Sequence, residues 1–189
     1  MTLTADVLLV PHDNSVYALD PTSGNLLWSL TEQTTRPLAL AVSGSVLLIG
    51  SGNRLSAYSL NDQHQLWQQQ QAGIVQAIQA DSTTAYALST NGGTAFITAT
   101  QARHGIVQWS RAITGGNVLT PLNFLYSNGS LFIGLCQNTN CTNAQLTLFQ
   151  ASSGTARWQR TTQQMDGTQF SQDETNLLFG TLSRPWPGI

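Results

Sequence analysis

Lysine is absent from this chain: all seven basic residues are arginine, and charged residues make up only 8% of its 189 positions. Without lysine there is no P-loop cation, no Schiff-base amine and no lysine-rich face for nucleic acid. A formal net charge of −2 leaves no field to draw in phosphate backbones or anionic lipid, so nucleic-acid partners are excluded. Long apolar runs are also missing, which excludes insertion of a membrane-spanning helix. The opening residues, Met-Thr-Leu-Thr-Ala-Asp, have neither a basic segment nor an apolar one, so no signal peptide is read in this chain. No stretch sustains a 3.6-residue apolar period. Gly-x-Ser-x-Gly and His-Glu-x-x-His are absent too. What is present is aromatic: five Trp, six Phe and four Tyr, enough for a packed core and against disorder.

Cysteine is scarce, with only Cys136 and Cys141, five positions apart. Two thiols cannot close a tetrahedral zinc site, and His12, His64 and His104 are distant in sequence, so no metal site is expected. Two possibilities stay open. A local disulfide would add about 2 kcal/mol at most by loop-closure entropy and would indicate an oxidising compartment. The other is a pair of buried, reduced thiols.

The strongest pattern is a repeat. Trp28, Trp67, Trp109 and Trp158 are separated by 39, 42 and 49 residues, and each ends a similar eleven-residue stretch. The first holds Ala18, Asp20, Gly24 and Trp28. The second keeps Ala57 and Trp67 but carries Gln63 at the glycine position. Ala99, Gly105 and Trp109 mark the third. In the fourth, Leu148 replaces the small residue ahead of Gly154 and Trp158. Short alternating strands fill the intervals, divided by turn sequences such as Ser-Gly-Asn at 51–53 and Asn-Gly-Gly at 91–93. Evenly spaced short strands with a period near 40 and four strands per unit predict an all-β propeller of four-stranded antiparallel blades.

The chain resembles the pyrroloquinoline-quinone-type β-propeller repeat family, whose mark is the tryptophan docking motif Ala-x-Asp-x-x-x-Gly-x-x-x-Trp. That family includes quinoprotein alcohol dehydrogenases and the propeller lipoprotein of outer-membrane protein assembly. The motif residues are expected to be structural. A docked indole buries roughly 150–250 Å², the glycine permits a positive-φ turn, the small residue leaves room for the ring, and Asp20 can bond its own turn.

With strands lettered A to D from the channel outwards, about four blades are expected. Blade 1, approximately 1–30, lacks its inner strand. Blade 2 spans 38–70, blade 3 spans 74–112 and blade 4 spans 117–161, followed by the start of a next or closing blade at 165–182. Segment 168–172 could complete the first blade of a closed ring, but a local hairpin with 176–182 is the simpler pairing. A partial or open propeller is therefore favoured, one that can self-associate through bare blade edges. Pro121 fits an inner edge strand, because it cannot donate to a ladder.

No acidic cluster has calcium-loop spacing, and the adjacent-cysteine ring that the resemblance associates with the quinone enzymes is missing. No cofactor is expected. The candidate ligand face is the one bearing the D–A and B–C connections, where His12, Asp13, Glu32 and Arg36 lie close in the blade map. Gln68, Gln69, Gln70 and Gln71 are expected at a solvated strand end. The leading reading is a non-catalytic scaffold or binding module for a protein partner, in cell-envelope assembly or as an extracytoplasmic sensor. The alternatives are a fragment of a quinone-dependent dehydrogenase and a binder of small molecules or glycans at the channel mouth.

Overall fold

The structure, a computed structural model, describes residues 2–3, 6–33, 39–114, 120–163, 169–172 and 177–180. The described residues form four four-stranded antiparallel sheets and one two-stranded hairpin. The first sheet contains β1 (Thr2–Leu3), β2 (Leu8–His12), β3 (Ser15–Leu19) and β4 (Leu26–Thr31). The second contains β5 (Ala39–Ser43), β6 (Val46–Ser51), β7 (Arg54–Ser59) and β8 (Gln65–Gln70). The third is β9 (Ile74–Ala80), β10 (Thr84–Asn91), β11 (Thr94–Gln101) and β12 (Val107–Thr114). The fourth is β13 (Thr120–Ser127), β14 (Ser130–Cys136), β15 (Asn143–Gln150) and β16 (Thr155–Gln163). The hairpin pairs β17 (Gln169–Gln172) with β18 (Leu177–Gly180). Strands follow chain order across every sheet, as in the blades of an open β-propeller.

Burial follows from this stacking. Every residue of β6 is buried, because its two faces meet different neighbours. Leu47 and Ile49 pack with Val7, Leu9, Val16 and Ala18 of the first sheet. Val46 and Leu48 join Ala85 and Ala87 of the third. A third cluster joins Leu88, Ile97 and Trp109 to Leu131, Ile133 and Phe149 of the fourth sheet. A second strand therefore reads as a near-continuous apolar run, whereas the outer β4 and β16 are mostly exposed.

One expectation is corrected. The first sheet does have an inner strand: Thr2 pairs with Leu9 and Leu3 with Leu8. Two residues are too few to show a period-two pattern, which explains why the sequence did not reveal it. Pro121 lies on the edge strand β13, and the ladder to β14 shifts between Pro121 and Asn123. The hairpin pairs with itself rather than with β2, which leaves the sheets open.

Candidate functional site

The turn joining the third and fourth strands of each sheet is built the same way four times. The first motif residue faces its own tryptophan across the ladder: Ala18 opposite Trp28, Ala57 opposite Trp67, Ala99 opposite Trp109 and Leu148 opposite Trp158. Each ladder shifts register at the very next residue, and such a bulge re-aims the side chains around it. In each turn the N–H of the seventh residue donates to the third carbonyl. The distances are 2.8 Å for Gly24 to Asp20, 2.9 Å for Gln63 to Ser59, 2.9 Å for Gly105 to Gln101 and 2.8 Å for Gly154 to Gln150. All four seventh residues have positive φ: 70°, 59°, 72° and 65°.

The tryptophan then reaches across to the next sheet. Trp67 Nε1 donates to Ala102 O at 2.8 Å, and Trp109 Nε1 donates to Ala151 O at 2.8 Å. A second prong lies two residues further on. Gln69 Nε2 donates to Gly105 O, while Arg111 donates through Nε to Gly154 O at 3.1 Å and through Nη2 to Ser153 O at 3.2 Å. A Cβ at Gly105 would sit 2.9 Å from Trp67 Cδ2, and one at Gly154 2.5 Å from Trp109 Cε3. Glycine is thus demanded twice, by the backbone angle and by the indole lying on it. Where Gln63 stands instead, its own Nε2 donates to the Leu60 carbonyl at 3.1 Å, the position that receives an indole in the next two turns. Asp20 bonds its own turn, with Oδ1 accepting from Thr22 N at 2.7 Å, Thr22 Oγ1 at 2.6 Å and Ser23 N at 3.0 Å. Those bonds, the Thr22 hydroxyl first, hold its carboxyl below the ordinary range. The glutamine run is more than a solvated strand end: Gln69 is part of a clasp and Gln71 is buried.

Of the residues placed on the candidate ligand face, His12 and Asp13 are exposed and 3.5 Å apart. Glu32 does not face solvent with them. It is only 6% exposed, and its Oε1 accepts from the Tyr58 hydroxyl of the second sheet at 2.9 Å. Burial, then the hydrogen bond to Glu32, push the Tyr58 phenol up to about 12. Glu32 is therefore a joint between sheets. Arg36 lies outside the described residues. His64 and His104 are exposed, and His64 Nδ1 lies 2.7 Å from Asp62 Oδ1.

A cavity of about 460 Å³ on the expected face is lined by Ser51, Asn53, Arg54 and Gln68 to Gln70, and two others open on the opposite face, among the A–B and C–D turns. One, of about 690 Å³ between the second and third sheets, is lined by Ser43, Ser45, Thr83, Arg103, His104 and Gln108. A neighbouring one of about 510 Å³, between the third and fourth sheets, shares Thr83 and Gln108 and adds Asp81, Tyr86, Tyr126 and Arg157. The Tyr86 and Tyr126 rings stack at 5.3 Å with 14° between their planes. Asp81 Oδ2 accepts from the Tyr86 hydroxyl at 2.8 Å, and Oδ1 from Thr83 N and Thr84 N at 2.8 and 2.7 Å. Burial alone would raise the Asp81 carboxyl, but these donors together hold it below the ordinary range. Nothing in the linear order signals this trough. Its residues come from three sheets, and only the blade stacking brings Arg103, Tyr86 and Tyr126 to one side.

Cys136 and Cys141 are disulfide-bonded, with their Cα atoms 4.8 Å apart, which resolves the two alternatives left open by the sequence. The bond closes a B–C loop pinned by Thr142 N donating to Asn138 Oδ1 at 2.9 Å.

The profile of the family described as outer membrane protein assembly factor BamB, a PQQ-like repeat family, matches residues 12–184. The chain belongs to that family. No curated protein sequence matches it. Among solved structures it is similar to the quinohemoprotein alcohol dehydrogenase ADHIIG from Pseudomonas putida HK5, at 15% identity and a TM-score of 0.69. That match covers 89% of this chain and 34% of the enzyme. It is also similar to a europium-containing methanol dehydrogenase, at 13% identity and TM-score 0.67, over 89% of this chain and 43% of that one. BamB from Moraxella catarrhalis aligns at 14% identity and TM-score 0.60, over 93% of this chain and 67% of BamB. At such identities the likeness establishes the fold, and the chain spans well under half the length of the dehydrogenases.

Some PQQ-like propellers are quinone enzymes, whose chemistry needs a quinone and a cation held by protein donors. Among the described residues no three His, Cys, Asp or Glu side chains converge on a point that could hold a metal ion. The two cysteines are spent on a bond across five positions rather than forming an adjacent pair. Asp20, Asp81 and Glu32 are each engaged by hydroxyl or amide donors in separate sheets. The described residues do not fit a quinone and its cation.

Proposed function

We propose that this PQQ-like propeller is a non-catalytic scaffold that binds a protein partner outside the cytoplasm, in envelope assembly or as the sensing part of an envelope protein. The observation that carries this reading is the trough across the A–B and C–D turns. It offers hydroxyls, amides, the half-buried ring of Tyr126 backed by the buried Tyr86, and the guanidinium of Arg103, a set suited to an extended peptide with both main-chain acceptors and apolar side chains. Ile106 and Val107, which lie in sequence between the lining residues His104 and Gln108, are exposed. The disulfide supports an oxidising location, since such bonds persist where thiols are not kept reduced. The family description, an outer membrane assembly factor, points the same way.

The reading is tested by screening the chain against an array of unstructured envelope-protein peptides. Tyr126→Ala and Arg103→Ala should each weaken any binding peptide roughly tenfold or more, as expected for an aromatic or arginine anchor. A parallel titration with pyrroloquinoline quinone and Ca²⁺ should leave the melting temperature and the quinone spectrum unchanged. Saturable quinone binding in that titration would overturn the non-catalytic assignment.

A further inference from the structure

The cavity of about 460 Å³ at the B–C end of the second sheet is lined only by polar residues and glycine. Strand pairing explains why they converge. Ser51 pairs with Arg54 and Arg54 with Gln70, so these side chains leave the sheet on one side. Gln68, paired with Ser56 two residues further along, leaves on that side too, whereas Gln69 points the other way, to Gly105 of the third sheet. The B–C turn beneath them is fixed by main-chain bonds from Gln71 N to Asn53 O and from Val75 N to Gly52 O, both 2.7 Å. Arg54 is half-buried but has no counter-charge. Among the described residues the ion pairs are those of His12 with Asp13 and His64 with Asp62, and the Arg54 guanidinium donates to no described residue. Arg111, by contrast, donates to the Ser153 and Gly154 carbonyls. In sequence, the connection from β4 to β5 holds one acid, Glu32, and that is bonded to Tyr58. Ser51 is 1% exposed, and its hydroxyl oxygen has no hydrogen-bond partner among the described residues. An unmatched guanidinium beside an unmatched hydroxyl is a cost that a ligand of opposite character removes.

We propose that this cavity binds a small carboxylate carrying a single negative charge and several hydroxyls, a hexuronate sugar in size and chemistry. A carboxylate meets the planar fork of a guanidinium with two parallel hydrogen bonds. The lining holds one cation and no second, which balances one negative charge and disfavours a phosphate dianion. An amino-acid zwitterion is disfavoured as well, because no acid lines the cavity to receive its ammonium group. The amides of Asn53, Gln68 and Gln70 both donate and accept, as ring hydroxyls do. With no aromatic or aliphatic side chain in the lining, an apolar peptide side chain finds nothing to cover. The volume suits a ring of about a dozen non-hydrogen atoms. The site opens on the face opposite the trough, so it does not rest on peptide recognition there.

Backbone amide NMR of the full chain, titrated with sodium D-glucuronate, tests this. The ordinary efficiency of a ligand with about thirteen non-hydrogen atoms sets the expected dissociation constant at about 1 mM. Shifts should saturate and centre on 51–54 and 68–70. D-Glucose lacks the carboxylate and should bind about tenfold more weakly or worse. Arg54→Gln, which removes the charge but keeps a polar end, should weaken glucuronate to the same degree, and Gln70→Ala about threefold. Circular dichroism should show both variants folded, and the comparison of glucuronate with glucose on the wild-type chain reads the charge requirement without any variant. A wild-type chain with no saturable shift at about 20 mM glucuronate, well above that constant, overturns the proposal. So do equal affinities for glucose and glucuronate, a folded Arg54→Gln that binds as the wild type does, or inorganic phosphate binding more tightly than glucuronate at these residues. Shifts centred on Ser43 and Arg103 instead would place the acid in the trough and overturn it too. None of these outcomes bears on the peptide screen, whose anchors are Arg103 and Tyr126.

Discussion

Replacing Trp109 by alanine removes the best-seated clasp in the protein. The ring is 8% exposed, donates to the Ala151 carbonyl at 2.8 Å, lies on Gly154 and sits 6.2 Å from the Tyr86 ring. A buried indole removes roughly 150–250 Å² from water, which at about 25 cal/mol per Å² is an upper bound near 4–6 kcal/mol. Losing the hydrogen bond leaves a buried carbonyl unserved, at about 1–3 kcal/mol, while relaxation of the cavity recovers part of the sum. The expected destabilisation is thus about 3–5 kcal/mol, the usual range for emptying an aromatic site. Trp158→Ala serves as the internal comparison. Its ring is 38% exposed and touches Phe132 at 6.0 Å between centroids, so it should cost about 1 kcal/mol or less within a single chain. Urea unfolding followed by circular dichroism measures both. Equal costs for the two substitutions, or a Trp109 cost below about 1 kcal/mol, would falsify the account of the clasp as an inter-sheet contact.

Gln63→Gly should stabilise the chain by up to about 1 kcal/mol, because relief of a side chain held at φ 59° outweighs loss of its part-buried hydrogen bond to the Leu60 carbonyl; a lower urea midpoint would contradict this. Tyr58→Phe leaves the buried Glu32 carboxylate without its donor and should cost about 1–3 kcal/mol at neutral pH, read from the same unfolding curves. The Tyr58 phenol is raised when folded, so its contribution is fully present below pH 10 and is lost as pH climbs through about 12. The wild-type melting temperature should fall across that window more steeply than that of the Phe variant. Reducing the bond between Cys136 and Cys141 opens a small loop and should lower the melting temperature by about 4–8 °C, from about 2 kcal/mol of loop entropy. An unchanged melting curve in reductant would show that the loop is held without it.

The blades were legible because each rests on local chemistry. Turn pairs such as Ser-Gly-Asn at 51–53 and Ser-Asn-Gly-Ser at 127–130 set the hairpins, and the spacing from Ala99 to Trp109 marks one C–D unit wherever it recurs. The short inner strand Thr2–Leu3 escaped notice because two residues form no pattern, and it exists only because Leu8 and Leu9 pair with it. Glu32 looked like a loop carboxylate free to meet a ligand. Its burial depends on Tyr58, 26 positions away on another sheet, and no local rule links the two. The tyrosine trough is a similar case, since Tyr86 and Tyr126 become stacked only when the third and fourth sheets are laid against each other.

The amino-acid order alone therefore determined the strand content, the recurring unit, the turn type and the positions of the motif tryptophans, because hydrogen-bonded turns and period-two burial are short-range properties of the chain, whereas the second-prong residues Gln69 and Arg111 were not legible in it. The tertiary structure decided which carbonyls Trp67 and Trp109 reach, which carboxylate is buried and which face carries the trough. Those depend on the stacking of one sheet on the next, where distances of a few ångströms join residues some forty positions apart.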